Sequence, residues 1–527
     1  MQSKTTGSVL FPILFGFFVI AGLIVCVGLA CSNVFSILFS FALGVMPTRQ
    51  NEVSALMIMG VSGGALLTLV MGLVADQFGQ VAAFGLLGAW PDWWTDGFGS
   101  GAREAAVSRV THSDIIANQA GLAFAQLLGA ELPKETQAKI DAANKALLFY
   151  DEHTFGYSES VRDAYGLETW EQRSLKQSYA WEAYRHVGLL GETTMGLLQS
   201  FTPKADCPSI VVYNTLNWTY SGLAKAYIDH QILPRNKAFE IVDAQGTIKQ
   251  LYDKELGRNL LSDQPEWEMG EFIYEIIDSR RPMELYKAPQ FLRRRPEKMR
   301  FECYEQGKIH LDVPGGTIEA GVDQIKGSSN DWYTVQNFAT ARNSESQIVM
   351  GSQEIPLMQF GAINTGRYEA GAVPQSTHMY SWPMNNYWVT NFNADQMGAI
   401  QWSYFIHSAA DSSIAYATRF AWENRIPFLT RVLPAGQSMD RVTETSGSLF
   451  RIVPDNLLLV NMRPVEGEKA VMLQLREIGG KAVRFAVEPG KVSPKHAQAC
   501  DVVGTPIGDS SAIDFLPWEN KFIKLSC

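Results

Sequence analysis

AWPDWWTDGFGSGAREAAVSR, running from Ala89 to Arg109, separates two kinds of sequence. Before it, no Asp, Glu, Lys or Arg occurs from Thr5 to Thr48, and up to Ala89 the only charges are Lys4, Arg49, Glu52 and Asp76. These four cancel, so the formal charge of −10, from 44 basic and 54 acidic residues, belongs to the residues after Ala89. The whole-chain charged fraction of 19% averages this contrast away.

Upstream of the divide the pattern is that of a membrane. About 20 apolar residues span the bilayer core, and the uncharged stretch is roughly twice that, which predicts two helices in a tight hairpin. A third span is predicted from about Val53 to Val74, between Glu52 and Asp76. A cleaved signal peptide does not account for this, because its apolar core is short and ends at a small-residue cleavage site. With Lys4 and Arg49 on the cytoplasmic side, the third span runs outward and the rest of the chain lies in a periplasmic or other extracytoplasmic space. The expectation is a multi-pass membrane protein with the lipid bilayer as a partner.

Downstream, the remainder exceeds what one core usually holds, so two or three domains are expected. SDIIANQAGLAFAQLLGAEL, Ser113 to Leu132, repeats apolar residues at spacings of three and four, which predicts a helix. Pro133 opens a second, KETQAKIDAANKALLFY, and a third runs through TWEQRSLKQSYAWEAYRHVGLLGETTMGLLQSF. Short connections between long helices point to an antiparallel bundle. From Thr202-Pro203 the texture is β-type. IVVYNTLNW (Ile210 to Trp218), FIYEII, AIQWSYFIHSA, NLLLVNM and AVMLQL alternate with Gly, Asn, Asp and Pro punctuation. The fold class is therefore α+β and multidomain: three transmembrane helices over 1–89, a three-helix bundle over 90–202, and a large antiparallel β-sandwich region over 203–527.

The six cysteines are scattered, at Cys26, Cys31, Cys207, Cys303, Cys500 and Cys527. They form neither a disulfide framework nor a CxxC zinc motif. An acidic chain without a sustained basic face is not a nucleic-acid binder. Arg293-Arg294-Arg295 reads as a solvated strand edge or turn. Gly97, Gly99 and Gly101 are not a phosphate loop, since no strand precedes them and no Lys-Ser/Thr comes after.

Two resemblances add to this. GLACSNVFSILFSFAL and ALMIMGVSGGALLTLVMGLVADQFG, with Gly60, Gly63, Gly64 and Gly72 suited to close helix packing in lipid, resemble late helices of the major facilitator superfamily, in the branch of fucose and glucose/galactose permeases. Such transporters bind substrate between two six-helix halves, so this stretch alone does not make a transport site. The second resemblance covers about Trp90 to Cys527. PDWWTDGFGSGAREAAVSR, LLFYDEHTFGYSESV, EQRSLKQSYAWEAYRHVGLLGE, IVVYNTLNW and SWPMNNYWVTNF (Ser381 to Phe392) resemble the α-mannosidase-like enzymes of glycoside hydrolase family 38.

That second resemblance implies the family's middle helical and C-terminal β-domains. It also implies a zinc ion and a nucleophilic Asp on an α/β barrel that this sequence mostly does not match. Retaining chemistry of this class needs two carboxyl groups about 5 Å apart, and no catalytic residue is named here. TDGFGSGARE resembles the family's HD-x-x-x-G block, with Thr95 at the position of the zinc-liganding His and Asp96 keeping the acid. Threonine is a poor zinc ligand, so the implied metal set is incomplete. Asp96 and His153, the latter in the polar cluster Asp151-Glu152-His153, are the metal candidates, with helix capping or loop ordering as their plainer role. Trp94, Asp96, Trp382, Asn385, Asn386 and Trp388 are the carbohydrate-binding candidates. Aromatic rings can stack on sugars but also dominate cores, and paired Asn amides suit both sugar hydroxyls and tight turns.

Four functional readings emerge: a glycosidase-like fragment inactive alone, part of a sugar:proton symporter, a glycan-binding module, or a join of two neighbouring genes without an evolved function.

Overall fold

The computed structural model describes residues 95–227, 252–253, 258–259, 307–324, 332–363, 373–386, 388, 390–437, 446–508 and 512–527. These all belong to one compact unit, Gln77–Cys527. A 3₁₀ turn, Thr95–Gly101, leads into α1, Ala102–Leu128. Next come α2, Thr136–Asp151, and α3, Leu167–Leu198. A fourth helix, α4, Ile414–Arg425, stands among the strands of the C-terminal part.

α1 ends where Gly129 adopts the left-handed conformation, φ 107°, and returns its amide to Ala125 and Gln126 carbonyls. That is a glycine stop. The helix is buried on more than one face, which explains why its sequence is rich in alanine rather than sharply two-faced. Ile115 and Leu122 pack with Ile140, Ala143, Val187 and Leu190 of α2 and α3. Ala120, Ala123 and Leu127 pack into a β-core with Leu457, Leu459, Val471 and Leu473. Ala117 and Ala125 meet Leu198, Leu216, Trp422 and Leu429.

The strands form two principal antiparallel systems. In the first, Tyr404–Ala409, Gln347–Ser352, Ala339–Arg342, Lys308–Val313 and Gly316–Glu319 lie side by side. A three-stranded sheet of Met379–Ser381, Leu357–Phe360 and Tyr333–Thr334 shares a core with it through Ile309, Leu311, Met358 and Phe360. The second system is a four-stranded sheet, Leu457–Pro464, Ala470–Glu477, Asn520–Ser526 and His496–Cys500. Among the described residues, the predicted β-sandwich region holds two sheet cores. α4 covers the first sheet with Ala417 and Ala421 against Phe338 and Val349.

A buried polar network joins these layers. The fully buried Asp312, on the first sheet, accepts a hydrogen bond from the Asn337 amide. The Arg425 guanidinium at the end of α4 donates to Asn337 and, at 3.0 Å, to Ser113 of α1. Arg476 of the second sheet lies 3.8 Å from Asp312. Arg109 of α1 donates to the carbonyls of Gln336 and Gln353 at 2.9 and 3.2 Å. Burial, with Arg425 adding to it, lowers the Arg109 guanidinium to about 9. Burial also raises the Asp312 carboxyl, against the pull of Arg476 and Asn337. Unpaired buried charge is strongly destabilising, so each member needs the others.

The expectation of three transmembrane helices, and with it of a multi-pass membrane location, is corrected. Among the described residues no helix is long and apolar enough to cross a membrane. Even the 32-residue α3 carries Glu168, Glu171, Arg173, Lys176, Glu182, Arg185 and Glu192. The stretch over 5–88 on which the spans were placed lies outside the described residues.

At Gly121, α1 approaches its neighbours closely. A methyl group there would sit 2.5 Å from both Leu429 Cδ1 and Thr194 Cγ2. Overpacking typically costs about 1–3 kcal/mol, against a helix-propensity gain for alanine of about 1 kcal/mol. Gly121→Ala is expected to destabilise the chain on balance, read as a lower urea midpoint at unchanged slope.

Candidate functional site

Three sequence blocks distant along the chain converge at the N-terminal end of α1. The Thr95–Gly101 turn supplies backbone, the loop after α2 supplies Phe155 to Ser160, and residues 385–396 bridge the two. Asn385 donates its backbone N–H to the Gly99 carbonyl at 2.9 Å. Asn393 donates its side-chain amide to Ser100 O at 2.9 Å and its backbone N–H to Ser100 Oγ at 3.2 Å. The Gln396 amide donates to Gly99 O, and its Oε1 accepts from the Ala102 N–H at 2.8 Å. The first N–H groups of a helix have no partner within the helix, and here Gln396 supplies one.

The other side of the bridge is equally tied. Phe155 N–H donates to Asn391 O at 3.0 Å, and Asn391 N–H to Tyr157 O at 3.2 Å. The Ser160 hydroxyl donates to Phe392 O at 2.6 Å. Asn391 has φ 62°, a left-handed conformation that asparagine tolerates better than most residues. The Gly97 position would place a Cβ 2.1 Å from the Phe392 ring, so only glycine fits there without a shift.

Beneath the turn lies an aromatic core of Tyr150, Phe155, Trp388 and Phe392. Lys176 of α3 reaches into it, donating to Phe149 O at 2.8 Å and Glu152 O at 2.6 Å while lying 5.2 Å from the Phe155 ring centre. Burial lowers the Lys176 ammonium from its usual range, with Glu152 opposing the shift. Burial likewise pushes the Tyr150 phenol well above its usual value, and Glu104 and Asp151 add to this. Asp151 accepts from the Ser108 hydroxyl at 2.8 Å and lies 2.7 Å from His112 Nε2.

The residues singled out from sequence fall differently in this arrangement. Trp94 lies outside the described residues, and Asp96 is described only as backbone of the turn. Asn385 and Asn386 are at the bridge. Asn386 donates to Asn393 O at 2.9 Å and accepts from Gln396 at 3.2 Å, so its amide orders the bridge itself. Trp388 is 8% exposed and packs 5.3 Å from Phe392, a core position. Trp382 is half-buried, edge-on to Trp332 at 6.2 Å, with its backbone N–H on Leu357 O. His153 Nδ1 lies 2.7 Å from Glu152 Oε1, on the loop that also supplies Phe155.

The zinc implied by the resemblance does not fit the described residues. No group of three or more His, Cys, Asp or Glu among them could hold a metal ion, and His153 is engaged with Glu152. Sequence reasoning missed Ser100, Asn393 and Gln396, which lie beside or face the motifs it singled out. It named Asp151 but missed its partners Ser108 and His112, which lie on α1.

The fold at this point has a counterpart among solved structures. It resembles the fold of a solved alpha-mannosidase. The chain is similar to an alpha-mannosidase from Enterococcus faecalis V583, with TM-score 0.50 and 10% identity over 82% of this chain and 69% of that one. It is also similar to a protein of glycosyl hydrolase family 38 from Enterococcus faecalis, with TM-score 0.51 and 9% identity over 81% of this chain and 70% of that one. At such identity the likeness is one of fold. No family model and no curated protein matches the sequence. Nothing in these matches supports the resemblance of residues 5–88 to a sugar permease, or the fusion with a transporter that it implied.

Asn393 makes two of the contacts that hold the turn. Leaving buried polar partners unsatisfied costs about 1–3 kcal/mol, so Asn393→Ala is expected to lower unfolding free energy by that order in guanidinium titrations. An unchanged midpoint would mean the bridge contributes nothing to stability.

Proposed function

We propose that this protein is an α-mannosidase-like member of the glycoside hydrolase class, and that its described region recognises carbohydrate rather than cleaving it. One observation carries the reading. The blocks 95–104, 147–161 and 381–392, each of which resembles the family 38 enzymes, lie far apart in sequence and meet in one bridged turn. In this reading residues 90–202 and 203–527 correspond to the family's middle helical and C-terminal β-domains.

In this reading each residue of the site has a role. Asn385, Asn386, Asn393 and Gln396 fix the turn that carries Thr95 and Asp96. Trp388 serves the core beneath it. Trp382, half-buried beside Trp332, is the aromatic proposed to meet a sugar ring, and Asp96 is the acid best placed by sequence to accept sugar hydroxyls. Thr95 stands where the resemblance gives a zinc-liganding His, so turnover is not expected.

Affinity electrophoresis of the full chain through gels containing yeast mannan tests the binding claim. Retardation is expected, and Trp382→Ala is expected to weaken it by about tenfold, the equivalent of roughly 1.4 kcal/mol. Mobility identical with and without mannan would refute the binding reading. In parallel, p-nitrophenyl α-mannoside is expected to release no p-nitrophenol. Release that is lost on chelation would overturn the assignment of recognition without cleavage.

A further inference from the structure

A second polar and aromatic cluster lies on other elements, and the bridged turn does not use it. The loop Asn214-Thr215-Leu216-Asn217-Trp218 comes after the strand Ser209–Tyr213, and its own side chains hold it rigid. Asn214 donates to Trp218 O at 2.7 Å and accepts from the Leu216 N–H at 2.9 Å. Asn217 donates to Leu457 O at 2.8 Å and accepts from the Leu459 N–H at 2.9 Å, pinning the loop to the second sheet. The loop so held presents the Trp218 indole, whose Nε1–H donates to Glu423 Oε1 of α4 at 2.6 Å.

Around this pair stand flat rings. Tyr220 and Phe428 stack at 4.8 Å with planes 7° apart, and His407 stacks on Phe420 at 5.0 Å. Trp218, Tyr220, Phe428 and Glu423 are all half-buried, so each offers part of its surface to solvent. Among the described residues, Glu423 Oε2 accepts no hydrogen bond. Burial raises the Glu423 carboxyl and pushes the Tyr220 phenol up to about 12, with Glu423 adding to the latter. Arg419 and His407, also near Glu423, offset its charge.

We infer that Glu423, Trp218 and the Tyr220–Phe428 stack form a carbohydrate subsite, with the carboxylate accepting from sugar hydroxyls and the rings packing on the sugar's C–H face. Rings beside a fixed acceptor suit a neutral polyhydroxyl ligand. An organic cation, the other ligand that aromatic rings with a carboxylate attract, would meet Arg419 and His407. The choice of mannose-containing probes rests on the proposed function; the subsite itself does not.

Calorimetric titration of the full chain with mannobiose, cellobiose and tetramethylammonium chloride tests the subsite. A disaccharide is expected to bind, with affinity reduced at least tenfold by Glu423→Ala and by Tyr220→Ala. Glu423→Gln keeps volume and an acceptor for Trp218. It is expected to retain the wild-type melting temperature and still weaken binding, because hydrogen bonds to charged groups are stronger by about 1 kcal/mol or more. Binding of cellobiose but not mannobiose, lost in Glu423→Ala, would support the subsite while counting against the mannosidase-like reading. The subsite is overturned if disaccharide binding survives Glu423→Gln and Tyr220→Ala in folded protein, if it is lost only in Trp382→Ala, or if only tetramethylammonium binds.

Discussion

The burial of α1 on several faces is the constraint on which the rest of the structure depends. The outer helices, the second sheet and the strand Leu429–Leu433 all pack on it. Such a helix cannot use large side chains everywhere, and its alanines and Gly121 are what allow neighbours to approach from each direction. Several of its polar groups are also buried and must be satisfied. Arg109 and Ser113 are, through Gln336, Gln353 and Arg425, and the same network reaches Asp312 and Arg476. The charged residues inside therefore serve to lock two sheets and two helices in one arrangement.

A helix fixed in this way also fixes the turn before it. The Thr95–Gly101 turn has no core of its own, and it is held from outside by residues 385–396 and, through Phe392, by the loop after α2. Gly97 and Gly99 let Phe392 and Asn385 approach this backbone closely, and polar side chains of Asn393 and Gln396 converge on it.

The α+β character was legible because Ser113 to Leu132, most of it in α1, repeats apolar residues at spacings of three and four, and the strands Leu457–Pro464 and Ala470–Glu477 are long apolar runs. The start of α1 was not. The residues from Ala102 to His112 are small or charged and lack an apolar stripe, since their neighbours surround them. α4 was missed because IAYATRFAWENR is rich in aromatic and polar residues and sits among strands. The transmembrane prediction rested on composition upstream of Ala89, whereas the described helices carry charges along their length. At the site, the pair Asn385-Asn386 stood out from sequence, but nothing local marked Asn393 or Gln396 as its working partners. Their role depends on a turn almost 300 residues away, which only tertiary structure brings near.

Hydrogen exchange by mass spectrometry, comparing the native chain with Gln396→Ala, addresses this dependence most directly. The account predicts faster exchange confined to residues 97–102, while amides from Ile115 to Ala125 remain as slow as global unfolding allows. Unchanged exchange in the turn, or exchange in the middle of α1 faster than in α2 and α3, would contradict it.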